Sequence, residues 1–416
     1  LVRHVLDFVA RPVQVASSLG SSPTWLWQRA SGRETVHQLL DGHVADIKFF
    51  PSGEKLVAAG ADGQSLILSV VSGRPLVALE RGHGPGFGVA EVHVFPRGDR
   101  VITMGSDGQA AIFDAASGRL LRHLGARPLG RHVVARVFPD GERIVTCTAG
   151  AICTEWTVGS GGPLRELPRI LPRQGSGAID HVTVEVFPSG GALLLVGGGR
   201  AKAWELSTGS APIKLAIPGF YILGATIFPD GAHIATMGLD DKWAVVWESA
   251  SGKIKFEVGH RDNVMSLAVF AKGLLIATLD KKGRIAVWNA ITGVALRQLR
   301  PWRGLTTGPF GFETFAGSDR LATFTPQAVV VWSATSGVVL RQLAGAPHNN
   351  TAVAVSPGGD ALASCGRGRV TLWDLRSGRL LQTLVVAGEA PAGDRCYVAF
   401  GPAPPPPGSP AASIAG

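Results

Sequence analysis

The chain of 416 residues is 45% hydrophobic and 17% charged, and 55 of its residues are glycine. Apolar residues at helical spacing are scarce, so the composition favours one large all-β core with many tight turns. No apolar run approaches the roughly 20 residues that a membrane-spanning helix needs, so we expect no membrane insertion. The formal net charge of +9 indicates either acidic partners or a solvated basic surface.

The start of the chain and its cysteines bear on location. Leu1 to Phe8 lack an initiator methionine and the apolar segment of a secretory signal, which predicts a soluble piece of a longer protein. Four cysteines are few for a disulfide framework in a chain of this length. Cys147 and Cys153 flank a turn and could face each other, but we expect free thiols and a cytoplasmic protein.

One motif recurs along the whole chain. A large, mostly aromatic residue is followed four and five positions later by Ser/Thr-Gly, and successive copies lie 41 to 48 residues apart. We call these residues anchors; they are Trp27, Leu68, Phe113, Trp156, Trp204, Trp247, Trp288, Trp332 and Trp373. A period in the forties built from short strand-like segments is typical of a β-propeller, in which each four-stranded blade buries its faces against its neighbours.

A second landmark, a Phe-Pro-x-Gly turn, stands about eighteen residues before many anchors. Its complete copies begin at Phe50, Phe95, Phe138, Phe187 and Phe228. Proline sets the φ angle of the first central turn residue, and glycine tolerates a positive φ. Each such turn is therefore expected to join the first strand of a repeat to the next antiparallel strand.

These landmarks predict an all-β fold, a closed β-propeller of eight or nine four-stranded antiparallel blades. The repeats fall near residues 1–40, 41–80, 81–125, 126–168, 169–216, 217–259, 260–300, 301–344 and 345–385, with a closing strand at 395–400. That strand either completes the first blade or begins a further repeat of a second, incomplete propeller. Residues 401–416 form a Pro-rich tail, which is either a linker or a ligand for a proline-binding groove.

Three dipeptides within the repeats carry a family resemblance. Trp-Asp occurs at Trp373, Gly-His precedes a first strand at His43, His83 and His260, and Asp-Gly follows a second strand at Asp62 and Asp107. With this pattern, nearly the whole chain resembles the WD-repeat β-propellers.

The resemblance implies a hydrogen-bonded structural tetrad, which is most complete in the seventh repeat. Its members there are His260, Thr278, Asp280 and Trp288. Partial copies are implied at His43 with Asp62 and at His83 with Asp107. Repeats four, five and eight lack the histidine, and Leu68 and Phe113 replace the tryptophan, so the pattern is divergent.

Catalytic motifs are missing from the sequence. It has no Gly-x-Ser-x-Gly elbow or Walker lysine. The recurring His and Asp residues fall in different blades, where they cannot converge on one metal. We therefore expect no enzymatic activity, cofactor or metal. The alternative is a propeller enzyme, which convergent carboxylates or histidines at the axial channel would favour.

Basic residues concentrate in loops that, by the resemblance, share one face of the propeller. The candidate partner-binding residues are Arg127, Arg131, Arg169, Arg173, Lys281, Lys282, Arg284, Arg300, Trp302, Arg303, Arg367 and Arg369. Such a face would attract acidic partners at long range. We predict a non-enzymatic scaffold for protein–protein interactions, with tubulin as one possible partner and a cytoskeletal, ciliary or centriolar assembly as its setting. The alternative is RNA binding, which aromatic residues among the basic loops would favour.

Overall fold

The computed structural model describes most of the chain between residues 13 and 400. The described residues are 13–19, 22–30, 33–40, 44–60, 62–70, 72–84, 86–124, 134–147, 152–167, 182–206, 211–239, 241–299, 311–326, 328–343, 352–366, 369–385 and 396–400. For 13–40, 384–385 and 396–399 the description covers the backbone alone.

The described strands form nine four-stranded antiparallel sheets, which we number as blades in chain order. Blade 1 contains β1 (Val13–Leu19), β2 (Ser22–Ala30), β3 (Arg33–Leu40) and β36 (Cys396–Phe400). Blade 2 contains β4 (Val44–Phe49), β5 (Lys55–Gly60), β6 (Ser65–Ser69) and β7 (Pro75–Ala78). Blade 3 contains β8 (Val89–Val94), β9 (Arg100–Gly105), β10 (Ala110–Asp114) and β11 (Leu120–Leu124). Blade 4 contains β12 (Val134–Val137), β13 (Arg143–Cys147), β14 (Cys153–Thr157) and β15 (Pro163–Leu167).

The remaining blades have the same strand order. Blade 5 contains β16 (Val182–Val186), β17 (Ala192–Gly197), β18 (Arg200–Glu205) and β19 (Ile213–Leu215). Blade 6 contains β20 (Ile222–Ile227), β21 (His233–Gly238), β22 (Trp243–Glu248) and β23 (Ile254–Gly259). Blade 7 contains β24 (Val264–Phe270), a 3-10 turn (Ala271–Gly273), β25 (Leu275–Asp280), β26 (Ile285–Asn289) and β27 (Ala295–Leu299). Blade 8 contains β28 (Gly311–Thr314), β29 (Arg320–Phe324), β30 (Val329–Ser333) and β31 (Val339–Leu343). Blade 9 contains β32 (Ala352–Val355), β33 (Ala361–Gly366), β34 (Arg369–Asp374) and β35 (Leu380–Val385).

The blades follow one another around a ring. First strands contact first strands, β4 with β8, β8 with β12 and β12 with β16, and the series continues to β28, β32 and β36. The first strands therefore line the axis, and the fourth strands form the rim. This architecture confirms the prediction of a closed all-β propeller.

The two ends of each blade differ in their connections. The loops that precede first strands, and those between second and third strands, lie at one end, which we call the top face. The Phe-Pro-x-Gly and Ser/Thr-Gly turns lie at the other end, the bottom face. Gly141, for example, has φ 71° and donates its N–H to the carbonyl of Phe138 at 2.9 Å.

The anchors lie on the third strands of their blades, and six of those whose side chains are described, Leu68, Phe113, Trp204, Trp247, Trp332 and Trp373, are buried. Trp247 is 2% exposed and packs in one apolar cluster with Leu194 of blade 5. The Ser/Thr-Gly turns are shaped by the same stacking. A Cβ at Gly118 would collide with the carbonyl of Ala78 in the preceding blade, so the blades approach one another there only because this residue is glycine.

The strand at the end of the described chain completes the first sheet. β36 pairs antiparallel with β1, and β1 pairs with β2, so the sheet order is β3-β2-β1-β36. β36 also lies against β32 and β33 of blade 9. Both ends of the described chain therefore meet in blade 1. The Pro-rich tail lies outside the described residues.

The expectation of free thiols is wrong. Cys147 and Cys153 form a disulfide, and Cys365 is also disulfide-bonded. Cys147 and Cys153 are direct cross-strand partners in β13 and β14, with Cα atoms 4.0 Å apart. Register thus brings them together across the turn that separates them in sequence. Within the described residues, the model contains no helix able to cross a membrane.

Candidate functional site

Blade 7 contains a continuous chain of hydrogen-bonded side chains. Trp288 Nε1 donates to Thr278 Oγ1 at 2.8 Å, and that hydroxyl lies 2.5 Å from His260 Nε2. His260 Nδ1 lies 3.5 Å from Oδ2 of Asp280, whose side chain is fully buried. Because Nδ1 faces the carboxylate, the threonine hydroxyl donates to Nε2. The four side chains tie the loop before β24 to β25 and β26.

Blade 3 contains a shorter version of this chain. His83 Nε2 lies 2.8 Å from Thr103 Oγ1, and His83 Nδ1 lies 3.3 Å from Asp107 Oδ1. Phe113 occupies the position of the tryptophan and adds no donor. Burial lowers the pKa of both His83 and His260 below the ordinary 6.5, and Asp107 and Asp280 oppose that shift. Neutral imidazoles in closed hydrogen-bond chains are suited to holding a fold together.

Blades 4, 6 and 8 retain only the tryptophan–threonine pair. Trp156, Trp247 and Trp332 donate to Thr146, Thr236 and Thr323 at 2.8, 2.8 and 2.9 Å. In blade 5 the equivalent position is Leu195, and Trp204 Nε1 has no partner in the described structure. Asp62 is exposed and accepts the N–H of Gln64 at 3.0 Å, whereas His43 lies outside the described residues.

The axial channel carries charged groups, and some of them have partners within the fold. Glu91 Oε1 lies 2.9 Å from His93 Nε2 and 2.8 Å from Arg136 Nη1. Glu185 Oε2 accepts the N–H of Ile227 in the next blade at 3.2 Å. Burial raises the pKa of Glu185. In the part of the chain that the structure describes, no group of three or more His, Cys, Asp or Glu side chains could hold a metal.

The top face of blades 6 and 7 exposes a cluster of large apolar side chains. Tyr221, Leu223, Leu239, Trp243 and Met265 are 49%, 43%, 48%, 51% and 53% exposed. We call these five residues the apolar patch. Exposed apolar groups concentrated at one place are a mark of interaction sites.

Local backbone structure explains why these side chains are exposed. The register of β20 with β21 shifts between Ile222 and Gly224, and that of β24 with β25 shifts between Val264 and Ser266. These bulges take Leu223 and Met265 out of the alternation that would bury them. The Leu239 N–H bonds to the carbonyl of Tyr221 at 2.7 Å, which joins two members of the patch.

Glycines hold the two aromatic rings of the patch in place. The ring of Tyr221 lies against Gly199 of blade 5, where any Cβ would collide with it. The indole of Trp243 covers Gly259, its cross-strand partner, in the same way. Each ring therefore rests flat on backbone on one side and faces solvent on the other.

Backbone hydrogen bonds fix the top loops of blades 6 and 7 to each other. The N–H groups of Val264 and His260 bond to the carbonyls of Asp241 and Lys242, both at 2.8 Å. The apolar patch thus spans two blades that are joined at their loops. Such a surface is preorganised, because its parts need little ordering when a partner docks.

Cations surround the patch. Lys242, Arg261 and Lys281 are exposed, and none of the three forms an ion pair with a described residue. Lys282 Nζ lies 3.3 Å from Asp262 Oδ2, and Arg284 Nε lies 2.7 Å from Asp280 Oδ2. Of the predicted cluster Lys281–Lys282–Arg284, therefore, only Lys281 keeps an unpaired charge beside the patch.

Most of the other predicted partner-binding residues cannot be placed. Arg369 is exposed on blade 9, with blade 8 between it and Lys281. The remaining ones lie outside the described residues; they are Arg127, Arg131, Arg169, Arg173, Arg300, Trp302, Arg303 and Arg367. Tyr221, Leu223, Leu239 and Met265 were not among the residues predicted from the sequence. In the sequence, each of them is only a large apolar residue next to a glycine or a loop. Many buried strand residues have the same surroundings in sequence, so this pattern does not distinguish exposed residues from buried ones.

Comparisons with known proteins give distant relatives. Angio-associated migratory cell protein from Homo sapiens is 25% identical over 195 residues, which cover 41% of this chain and 39% of that protein. The same protein from Pongo abelii and from Canis lupus familiaris matches equally. The chain thus matches well under half the length of these relatives. No family model matches.

Among solved structures, the crystal structure of the computationally designed Ika8 protein has the same fold. Its TM-score is 0.55 at 20% identity, and the match covers 76% of this chain and 91% of that chain. The ring of four-stranded antiparallel blades is a β-propeller, and the similarity to these relatives supports a relationship to the WD-repeat proteins.

Proposed function

We propose that this propeller is a non-enzymatic scaffold whose top face on blades 6 and 7 binds acidic segments of partner proteins. The carrying observation is the apolar patch, with two half-exposed rings held on glycine backbone beside three cations that form no ion pair with a described residue. The propeller fold supports protein interaction in general. Aromatic anchors bury much area at low conformational cost, and neighbouring cations steer acidic chains toward them.

The partner class follows from this chemistry. A partner segment that fits this surface carries Glu or Asp around one or two large apolar side chains. Acidic side chains alone would leave the apolar patch exposed to water. Acidic tails such as those of tubulin are candidates, with a cytoskeletal or ciliary setting. The Cys147–Cys153 disulfide argues against a reducing cytoplasm. Single-stranded RNA is the second candidate, since Tyr221 and Trp243 would also suit base stacking among lysines.

Fluorescence anisotropy with three labelled probes tests this proposal. The probes are an acidic peptide with one central phenylalanine, the same peptide with serine instead, and a single-stranded RNA of equal charge. We expect the phenylalanine peptide to bind most tightly. Replacing both Tyr221 and Trp243 by Ala should weaken it at least about tenfold, as for aromatic hot spots. Phe87→Ala is the matched control, because Phe87 is 46% exposed on the same face of another blade.

Charge is tested separately from apolar contact. Lys242→Glu with Lys281→Glu should slow association at about 0.05 M salt much more than at about 0.5 M, because salt screens steering. Equal binding of both peptides would show that the apolar patch is not the site. Preferential RNA binding that is lost with Tyr221 and Trp243 would replace the protein partner by RNA.

A further inference from the structure

Blade 4 contains a buried carboxylate between two arginines. Glu155 on β14 is fully buried, and its Oε1 lies 3.2 Å from Arg143 Nη1 on β13. Its Oε2 lies 2.8 Å from Arg165 Nε on β15. The two groups are not aligned for a hydrogen bond, so this contact is purely electrostatic. Both arginines also reach the next blade, to the carbonyls of Gly190 and Leu206, each at 2.7 Å.

Blade 8 repeats these two arginines without the carboxylate. In blade 4, Glu155 is the cross-strand partner of Val145 and of Arg165. In blade 8, Val331 is the partner of Ala322 and of Arg341. Arg143 and Arg320 both begin the second strand, two positions before those partners. Arg320, Val331 and Arg341 therefore occupy the positions of Arg143, Glu155 and Arg165.

A crevice of about 360 Å³ opens at this place between blades 8 and 9. Arg320, Arg341, Arg376 and Asp360 supply its charges, and Val331, Leu340 and Leu375 supply apolar walls. The Arg320 guanidinium stacks over the Phe315 ring at 4.5 Å and forms no ion pair with a described residue. Arg341 donates to the carbonyls of Leu340 and Arg376 at 2.6 and 2.5 Å, so it is held in place.

The nearby acids form no ion pair with Arg320, although Asp360 brings its own negative charge to the crevice. Asp319 accepts the hydroxyls of Ser333 and Thr335 at 2.9 and 2.5 Å, and Asp360 accepts that of Ser356 at 2.7 Å. Blade 3 shows the contrast. It too has an arginine pair, Arg100 and Arg122, around an apolar Ile112, but there Arg100 pairs with Asp99 and Glu142 at 3.0 and 3.4 Å.

We propose that the crevice between blades 8 and 9 binds a carboxylate carried on a short aliphatic stem and supplied by a ligand from outside the chain. The carboxylate lies between Arg320 and Arg341, where blade 4 places Glu155, and the stem lies on Val331, Leu340 and Leu375. Charge-assisted hydrogen bonds from arginine suit a planar carboxylate. A free dicarboxylate and a glutamate side chain of a peptide share this chemistry. The crevice lies toward the bottom face, so this site is separate from the apolar patch.

Calorimetric titration with three probes tests the site. They are glutarate, N-acetylglutamate methylamide and inorganic phosphate. We expect glutarate or the glutamate derivative to bind, and the tighter of the two identifies the source of the carboxylate. Arg320→Ala should weaken binding at least about tenfold, whereas Arg100→Ala, the equivalent change in blade 3, should leave it unchanged. Binding of phosphate alone, or equal affinity in Arg320→Ala, would overturn the proposal.

A second variant checks the premise through the fold itself. Val331→Glu places a carboxylate where blade 4 has one, so it should melt at or above the wild-type temperature and no longer bind either carboxylate probe. A lower melting temperature would show that the two arginines do not accommodate a carboxylate there. Undiminished glutarate binding by this variant would place the ligand elsewhere.

Discussion

Trp288 and Thr278 are joined by a hydrogen bond of 2.8 Å from the indole nitrogen to the threonine hydroxyl. Both this hydroxyl and that of Thr236 in blade 6 also lie within 3.5 Å of a backbone carbonyl, but only Thr278 has a histidine, His260, as a further partner. Thr236 and Thr278 are fully buried. A buried polar group that loses its partner lowers the free energy of unfolding. The two threonines should therefore differ in their contribution, because a different number of polar groups depends on each.

Thr236→Val should therefore lower the free energy of unfolding by about 1–3 kcal/mol, because it orphans one buried indole N–H. Thr278→Val should cost more, because it orphans an indole and an imidazole. Urea unfolding of both variants checks the order. Thr383→Val, at an exposed position on β35, is the control. Equal costs for the two buried threonines would mean that His260 gains nothing from the hydroxyl.

The histidines predict a pH dependence with a defined sign. Burial keeps the pKa of His83 and His260 below their ordinary 6.5, so between those values the unfolded chain binds more protons than the folded one. Stability should then fall as the pH drops from about 7.5 to about 5.5. Glu185, with its raised pKa, acts with the opposite sign above its ordinary 4.5.

The double variant His83→Gln, His260→Gln isolates the histidine contribution, because Glu185 is common to both proteins. Its unfolding midpoint in urea should change less between the two pH values than that of the wild type. An unchanged pH slope would show that the imidazoles titrate alike in the folded and unfolded chains.

The disulfide between Cys147 and Cys153 should contribute about 2 kcal/mol, since it closes a loop of sequence separation 6. Replacing both cysteines by serine should lower the unfolding midpoint accordingly. Alkylation followed by mass spectrometry, without reductant, supplies the second readout. Modification of Cys147 and Cys153 in the untreated native protein would contradict the pairing.

Removal of β36 should destabilise the propeller strongly, because β1 loses its partner and blade 9 loses its neighbour. A chain that ends at residue 394 should melt well below the wild type and aggregate through its unpaired edge. The matched control ends at residue 400 and keeps β36. If both truncations melt alike, pairing of β36 with β1 does not fasten the ring.

The part of the fold that could be predicted from the sequence follows from the conformational requirements of its turns. A Phe-Pro-x-Gly turn needs a positive φ at its glycine, and Gly141 has one. A Ser/Thr-Gly turn needs a residue without a Cβ where the neighbouring blade approaches, and Gly118 is such a residue. These requirements repeat once per blade and are visible in one sequence. The positions of the anchors on third strands follow from the same spacing.

The candidate site depends on which side chains stand at a recurring bulge, because blades 2 and 3 have the same bulge but carry Ala45 and Ala90 there. The bulges that expose Leu223 and Met265 arise from strand register, and the resting places of Tyr221 and Trp243 are glycines distant in sequence. Lys282 and Arg284 belonged to the predicted basic cluster, but their charges are paired with Asp262 and Asp280. Only the three-dimensional arrangement separates them from Lys281.

The most direct test of the central claim is hydrogen–deuterium exchange with the acidic phenylalanine peptide bound. Protection should appear in backbone amides of residues 221–224, 239–243 and 261–265, the loops that carry the apolar patch and its cations, and should vanish in the variant lacking Tyr221 and Trp243. Binding that protects other blades while leaving these three segments unchanged would contradict the assignment of the top face of blades 6 and 7 as the partner site.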